Sequence, residues 1–197
     1  VKPTAQKGYD NSDWFNGVKP ALKAKNSLVN LPYIIDGDLL IAQTNACFTY
    51  LGRKFNMLGD SPAELVQCEQ LLCELMDLRN ATVRHAYGGN GSKKHAEMHL
   101  NAAVAGSVAK FELWLEANTS SDGTFFVGNR ASAPDFHAWE LFTQINELSK
   151  HHGLSSPLPP ACKAFVEKFG ALPGSQKYIN SKLAGLPTNQ KMVCPPS

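Results

Sequence analysis

The sequence predicts a two-domain protein in which a small α/β domain precedes a larger all-helical domain. Residues 1–58 carry short apolar runs broken by glycine, proline and asparagine, which is typical of strands and turns. Residues 62–186 carry long apolar repeats with the 3.6-residue period of α-helices. A chain of 197 residues, 43% of them hydrophobic, is long enough to bury a core in this arrangement.

The α/β domain is predicted to contain one hairpin followed by one helix. A short helical turn is expected near residues 12–16. Within residues 31–41, two apolar runs flank Asp36-Gly37, a dipeptide typical of two-residue hairpin turns. Directly afterwards, residues 43–45 offer a hydroxyl or amide cap for a helix, which Gly59 is expected to end.

The helical domain is predicted to open at Ser61-Pro62, because serine caps a helix and proline at the first helical position loses no hydrogen bond. A helical apolar stripe predicts one long core helix. Its members are Leu100, Val104, Val108, Phe111 and Leu115. Residues 132–135 predict another helix with a reciprocal cap. Two short helices are expected around Phe165 and near residues 178–183, and residues 187–197 read as an extended tail.

Charge and cysteine content exclude several functional classes. A net charge of +2 with scattered basic residues argues against nucleic-acid binding. No apolar run approaches the roughly 18 residues that a membrane span needs. The five cysteines show no metal-ligand spacing. Cys47, Cys68 and Cys73 fall in apolar periodic segments and are predicted to be buried, reduced thiols, which favours a cytoplasmic location.

A histidine pair on one helical face gives no metal prediction. His95 and His99 are one turn apart, but the glutamate of the zinc-hydrolase pattern comes one position too late. We interpret the pair as part of a solvated helix face, and no metal cofactor is expected.

Two features beside the hairpin suit a small peptide that carries a carboxylate. A cis peptide bond at Leu31-Pro32 would leave the backbone of the preceding residue free to pair with a ligand. Thr44 opens a helix whose first N–H groups lack intrahelical partners and attract anions. An ordinary turn and an ordinary cap explain the same residues, so spacing alone leaves both interpretations open.

Several longer motifs occur together in the chain. They are NLPYIIDG at 30–37, QTNA at 43–46, YLGRK at 50–54, FVGNR at 126–130 with SAPDF at 132–136, and the loop at 9–16. In combination they resemble the cytosolic glutathione transferases, most closely the mu class. The resemblance implies a thioredoxin-like N-terminal domain, a helical C-terminal domain and a dimer. It also implies detoxification by conjugation of glutathione, a substrate here, to an electrophilic apolar acceptor.

The resemblance assigns glutathione contacts to individual residues. Gln43 and Thr44 would hold the γ-glutamyl carboxylate. Leu31, before a cis Pro32, would pair its backbone with the cysteinyl part, and Asn30 lies beside it.

Two further contacts follow from the same resemblance. Trp14 and a lysine would contact the glycyl carboxylate, and Lys19 and Lys23 compete for the second role because the spacing to the hairpin differs from the family's. Asp77 would reach across a dimer interface to the partner's γ-glutamyl ammonium, although an exposed helix acid explains Asp77 as well.

The family's first strand and helix, which carry the thiolate-stabilising residue, have no counterpart in this chain. Val1–Gly8 resembles the end of the family's second strand. The catalytic residue is therefore unknown. We expect either about 25 to 30 residues before Val1 or a partner chain that covers the gap. The second hypothesis is accordingly a non-catalytic subunit, related to glutathione transferases, within a larger assembly.

Overall fold

Residues 2–4, 8–10, 12–88 and 91–185 are described by a computed structural model of the chain. Two separate antiparallel strand pairs lie in its first quarter, and helices make up most of the rest. In chain order the elements are β1 (Lys2–Thr4), β2 (Gly8–Asp10), a π-helical turn (Asp13–Val18), α1 (Lys19–Lys23), β3 (Tyr33–Asp36), β4 (Leu39–Ala42), α2 (Thr44–Lys54), α3 (Pro62–Gly88), α4 (Lys93–His99), a second π-helical turn (Leu100–Val104), α5 (Ala105–Ala117), α6 (Ala133–His151), α7 (Pro160–Ala171) and α8 (Pro173–Ile179).

The predicted hairpin and the predicted helical turn before it are both present. β3 pairs with β4 in a register that sets Tyr33 opposite Ala42 and Asp36 opposite Leu39. The two-residue turn between them needs a left-handed residue, which Gly37 supplies with φ 58°. Asp36 then accepts hydrogen bonds from Tyr50 and Lys54, so the turn is fastened to α2.

The start of the chain differs from the expectation. Residues 2–4 and 8–10 form an antiparallel pair with each other, Lys2 opposite Asp10, so residues 9 and 10 are strand rather than loop. Pairing of two neighbouring segments satisfies their backbone groups locally.

Helix α2 begins at Thr44 as predicted but ends at Lys54, well before Gly59. Asn56 adopts the left-handed conformation with φ 56°, which asparagine tolerates better than most residues and which ends the helix early. The prediction that Gly59 ends α2 is therefore wrong. Gly59, with φ 83°, instead turns the chain just before α3.

The segment between α2 and α3 is tied to the helical bundle. The Ala133 N–H donates to the Met57 carbonyl at 2.8 Å, and Arg130 Nε donates to Asp60 Oδ2 at 3.0 Å. Leu58 is part of the main hydrophobic core. These contacts fix how α2 is placed relative to the bundle.

The bundle core matches the helical stripe read from the sequence. All five members of the 100–115 stripe are buried, and they pack with aromatic side chains from α6, α7 and the α5–α6 connection. The predicted caps are present too. Ser61 Oγ accepts from the Glu64 N–H at 3.2 Å, and Ser132 with Asp135 forms a reciprocal capping box at the start of α6.

Three details of the prediction need correction or remain outside the description. Cys73 is exposed, because it falls off the face of α3 that Leu72 and Leu75 bury, whereas Cys47 and Cys68 are buried as predicted. The last short helix is Pro173–Ile179 rather than 178–183, since Pro173 starts it directly after α7. The predicted tail at 187–197 lies outside the described residues. Across the described ranges, no helix is both long and apolar enough to cross a membrane.

Candidate functional site

The amino end of α2 presents unpaired amide groups. The first intrahelical bond runs from the Cys47 N–H to the Gln43 carbonyl at 2.9 Å, which leaves the N–H groups of residues 44–46 outside the helical pattern. No side chain caps this end in the described structure. Gln43 is exposed and holds a left-handed backbone with φ 75°. Such strain in a non-glycine residue is typical of functional sites, and the free amides favour an anion.

The predicted cis peptide bond is present between Leu31 and Pro32. Leu31 is 52% exposed, and within the described ranges its backbone makes no hydrogen bond. Below it, the Cys47 thiol lies 3.8 Å from the Ile41 carbonyl and 4.0 Å from that of Pro32. Burial raises the pKa of the Cys47 thiol, so this cysteine stays neutral and packs beneath the turn.

The Trp14 loop is joined to the same end of the hairpin. Trp14 is buried and stacks on Tyr33 with 5.6 Å between ring centroids. Tyr33 pairs with Ala42, which directly precedes Gln43. One strand pair therefore carries the Trp14 loop on one side and the start of α2 on the other.

Lysine and asparagine side chains complete this arrangement. Lys19 Nζ lies 5.8 Å from the Trp14 ring centroid and donates to Asn30 Oδ1 at 3.3 Å. Asn26, which the sequence analysis missed, donates to the Leu40 carbonyl at 2.9 Å and accepts from the Leu28 N–H at 2.9 Å. Its signal in the sequence is an asparagine placed two residues before its own backbone partner, as in an Asx turn.

The structure brings most of the predicted site residues into one connected group. We call this group the hairpin groove, and its members are Trp14, Lys19, Asn30, Leu31, Pro32, Gln43 and Thr44. Gln43 Nε2 donates to the Leu28 carbonyl at 3.4 Å, which connects the start of α2 to the segment before β3. Asp77 lies exposed on α3, and no described contact connects it to the groove. The group includes a cation, Lys19, and the free amides at the start of α2, each of which can pair with a carboxylate.

A second polar group lies between α3 and α6. Arg79 Nε donates to His137 Nε2 at 2.7 Å, and its guanidinium also pairs with Glu140, which accepts from Gln144. His137 is fully buried, and burial together with the Arg79 charge lowers its pKa to about 3. The ring is therefore neutral, and it carries its proton on Nδ1, because Nε2 accepts from Arg79.

This polar group forms one wall of a cavity of about 210 Å³. The cavity is lined by Arg79, Thr82, Val83, Tyr87, Glu140, Leu141 and Gln144. His137 stacks on Phe48, which lies four residues, or about 6 Å along the axis, beyond Thr44 in α2. Packing thus connects the cavity wall to the helix that opens at the hairpin groove. Nothing in the sequence pattern indicated that residues 58 positions apart would meet here.

Comparisons with known proteins agree with this architecture. Residues 76–182 match the family described as "Glutathione S-transferase, C-terminal domain". Glutathione S-transferase Mu 5 of Mus musculus is 30% identical over 186 residues, which cover 94% of this chain and 77% of that protein. Glutathione S-transferase 2 of Gallus gallus is 33% identical over 174 residues, covering 88% and 73%.

A solved structure is similar in fold. The Pi-class glutathione S-transferase of Onchocerca volvulus superimposes with a TM-score of 0.72 at 24% identity, over 86% of this chain and 79% of that one. The predicted fold class, an α/β thioredoxin-like domain followed by an all-helical domain, is confirmed. On the family match and these two relatives, the chain belongs to the glutathione transferase family, and its similarity to Glutathione S-transferase Mu 5 makes it mu-like in sequence.

Proposed function

We propose that the protein is an enzyme that conjugates glutathione to an electrophilic apolar acceptor. One observation carries this proposal. Trp14 stacks on Tyr33, and Ala42, which pairs with Tyr33, leads directly into the amino end of α2, which supports one site with partners for both acidic ends of a tripeptide. The names of the two relatives, both glutathione S-transferases, support the same ligand.

Each groove residue then has a defined role toward glutathione. Gln43 and Thr44, with the free amides behind them, hold the γ-glutamyl carboxylate. The exposed backbone of Leu31 pairs with the cysteinyl unit.

At the other end of the groove, Trp14 and Lys19 hold the glycyl carboxylate. Asn30 aligns the Lys19 ammonium through their hydrogen bond. Lys23, the competing candidate, is exposed in the last turn of α1.

In the reaction, the glutathione thiolate attacks the electrophilic carbon of the acceptor. A carbon–sulfur bond forms while the leaving group departs with the electron pair, and the thiol proton passes to solvent. A free thiol has a pKa near 8.5, so the reaction needs a group that favours the thiolate. The groove residues contribute by orienting the nucleophile.

The cavity between α3 and α6 is the proposed acceptor site. Its exposed lining is mostly polar, and Val83, Tyr87 and Leu141 supply the apolar part. Arg79, which lines the cavity, donates to His137, and His137 stacks on Phe48 of the helix that begins at the groove.

The broader biological role follows from the same proposal. Asp77, exposed on α3, would complete the groove of a second copy in a homodimer. The buried free thiols Cys47, Cys68 and Cys162 suit a reducing compartment, so we place a detoxifying role in the cytoplasm.

Retention on immobilised glutathione tests binding, and release of chloride from 1-chloro-2,4-dinitrobenzene tests chemistry. We expect the natural protein to be retained and Gln43→Ala to lose at least about tenfold in affinity, as expected when a charge-assisted contact is lost. Gln67→Ala, an exposed glutamine on α3, should be retained normally. Retention without turnover would favour the non-catalytic subunit, and no retention of the natural protein would overturn the proposal.

A further inference from the structure

Three histidine rings from α3 and α4 pack against one another. The ring centroid of His85 on α3 lies 4.6 Å from that of His95 and 4.6 Å from that of His99, both on α4. The rings of His85 and His99 are nearly parallel, at 6°. His85 is only 7% exposed and His99 only 8%, so the two helices meet through imidazoles where apolar side chains are usual. The interpretation of His95 and His99 as part of a solvated helix face is therefore wrong for His99.

The buried ring nitrogens of this cluster have no partners. Nδ1 of His85, Nδ1 of His95 and Nε2 of His99 are buried without a hydrogen bond among the described residues. An unpaired buried polar atom costs free energy that a phenyl ring would not. The rings stack face to face, and no group of three metal-ligating side chains in the described ranges is arranged to hold a metal ion.

Several side chains around the cluster are positively charged or become positively charged when they take up a proton. Arg84 on α3 lines the same open cavity of about 320 Å³ as the three rings. His152, at the end of α6, acts electrostatically on His85, and Lys93 of α4 acts on His152. Glu97, the carboxylate of α4, is exposed. Burial, followed by the charges of His95 and His152, lowers the pKa of His85 to about 4, and burial, followed by those of His85 and His95, lowers the pKa of His99 to about 4.

We propose that the cluster of His85, His95 and His99 is an acid-sensitive latch, in which the packed rings hold α4 against α3 while His85 and His99 are neutral, and protonation of these two releases α4. The local backbone suits a movable segment. Ser92 caps α4 at its start, where Ser92 Oγ accepts from the His95 N–H. At its other end a π-helical turn, Leu100–Val104, separates α4 from α5, and such turns are frequent at functional sites.

The direction of the response follows from proton linkage. A histidine exposed by opening has its ordinary pKa of 6.5, whereas His85 and His99 in the closed cluster have a pKa of about 4. The open form therefore binds protons first as the pH falls, so closure is fully favoured above pH 6.5 and is lost progressively toward pH 4. At pH 5 each such histidine favours opening by about 20-fold relative to pH 7.

Hydrogen exchange of the natural protein at pH 7.5 and pH 5.0, corrected for intrinsic rates, measures this opening. We expect the opening that exposes the amides of α4 to become at least about tenfold more populated at pH 5.0 than at pH 7.5, and at pH 5.0 to be at least about tenfold more populated than the global unfolding that the amides of α7 report. An α4 opening that does not respond to pH, or equal protection of α4 and α7 at pH 5.0, would overturn the latch, because the histidines would then act only on global unfolding.

Variants that keep a ring but cannot take a proton test the cause. His85→Phe and His99→Phe should each reduce the acid-induced exchange of α4, whereas His151→Gln, on an exposed histidine outside the cluster, should leave it unchanged. An unaltered acid response in both phenylalanine variants would rule out the cluster as its origin. If neither variant folds, direct titration of the histidines by NMR decides the matter. His85 and His99 should titrate below pH 5, and titration near 6.5 would overturn the proposal.

Discussion

The His137 ring stacks on the Phe48 ring with centroids 4.7 Å apart and planes 14° from parallel. Phe48 belongs to α2 and His137 to the first turns of α6, so the pair joins the hairpin-bearing part of the chain to the helical bundle. Arg79 holds the His137 ring in place by donating a hydrogen bond to its Nε2. The placement of the hairpin groove therefore depends on a buried imidazole that makes no direct contact with it.

Truncating this stack should reveal a coupling between the two side chains. His137→Ala removes the ring and leaves Arg79 without its acceptor, at an expected cost of about 2–4 kcal/mol. A double-mutant cycle with Phe48→Ala, measured by urea unfolding, should give an interaction energy of about 0.5–1.5 kcal/mol.

His151→Ala serves as the matched control for that cycle, because its ring contacts His152 rather than α2. It should change the free energy of unfolding by under about 0.5 kcal/mol. Strict additivity of the Phe48 and His137 substitutions would show that the stack contributes nothing beyond burial.

Trp14 should matter for both stability and binding. Trp14→Ala removes a buried ring that stacks on Tyr33 and should cost about 3–5 kcal/mol in the free energy of unfolding. Trp14→Phe keeps an aromatic partner for Tyr33 and should recover most of that loss. Thermal unfolding and retention on glutathione, measured for both variants, check this. A phenylalanine variant as unstable as the alanine variant would contradict a role for stacking.

The two candidate lysines can be separated by a paired substitution. Lys19 lies over the Trp14 ring and donates to Asn30, so Lys19→Ala should weaken glutathione binding by about three- to tenfold, the range of a solvent-accessible charge-assisted contact. Lys23→Ala, in the same short helix, should leave the dissociation constant unchanged in calorimetry. The reverse order of effects would assign the glycyl carboxylate to Lys23.

Much of the architecture could be predicted because its signals are local. The hairpin turn, which the structure places at Gly37-Asp38, one residue after the predicted Asp36-Gly37, the Ser61-Pro62 helix start and the 132–135 cap each depend on neighbours within four residues. The prediction of where α2 ends was wrong for the same reason. A glycine at 59 is the stronger local signal, but Asn56 adopts the left-handed conformation first.

In the candidate site, too, the contacts between residues close in sequence could be predicted and those between distant residues could not. The groove residues near the hairpin are close in sequence, and the family resemblance named them. The contacts of Arg79 with His137 and of His85 with His99 join helices far apart in the chain. No period or motif carries that information, because any core side chain of suitable volume satisfies the pattern at those positions.

Asp135 should be the most sensitive carboxylate in the bundle. Its two oxygens accept from the Phe126 N–H at 2.8 Å and from the Ser132 N–H and hydroxyl at 2.7 Å each, all of them buried. Asp135→Ala leaves these donors unpaired, and we expect a loss of about 2–4 kcal/mol in urea unfolding. Asp38→Ala, in the exposed hairpin turn, is the control. Equal effects of the two substitutions would contradict the importance of the cap.

Acid should destabilise the fold through His137. Its pKa in the folded chain, about 3, lies below the ordinary 6.5, because burial and Arg79 disfavour the imidazolium. The unfolded chain therefore takes up the proton first, and the contribution of His137 is complete above pH 6.5 and lost as the pH falls toward 3. Between pH 7.5 and 5.0 this loss amounts to about 2 kcal/mol. His137→Gln keeps an acceptor for Arg79 without a titratable ring, so its urea unfolding should vary less with pH by that amount. An identical pH dependence in the two proteins would show that His137 does not remain neutral in the folded chain.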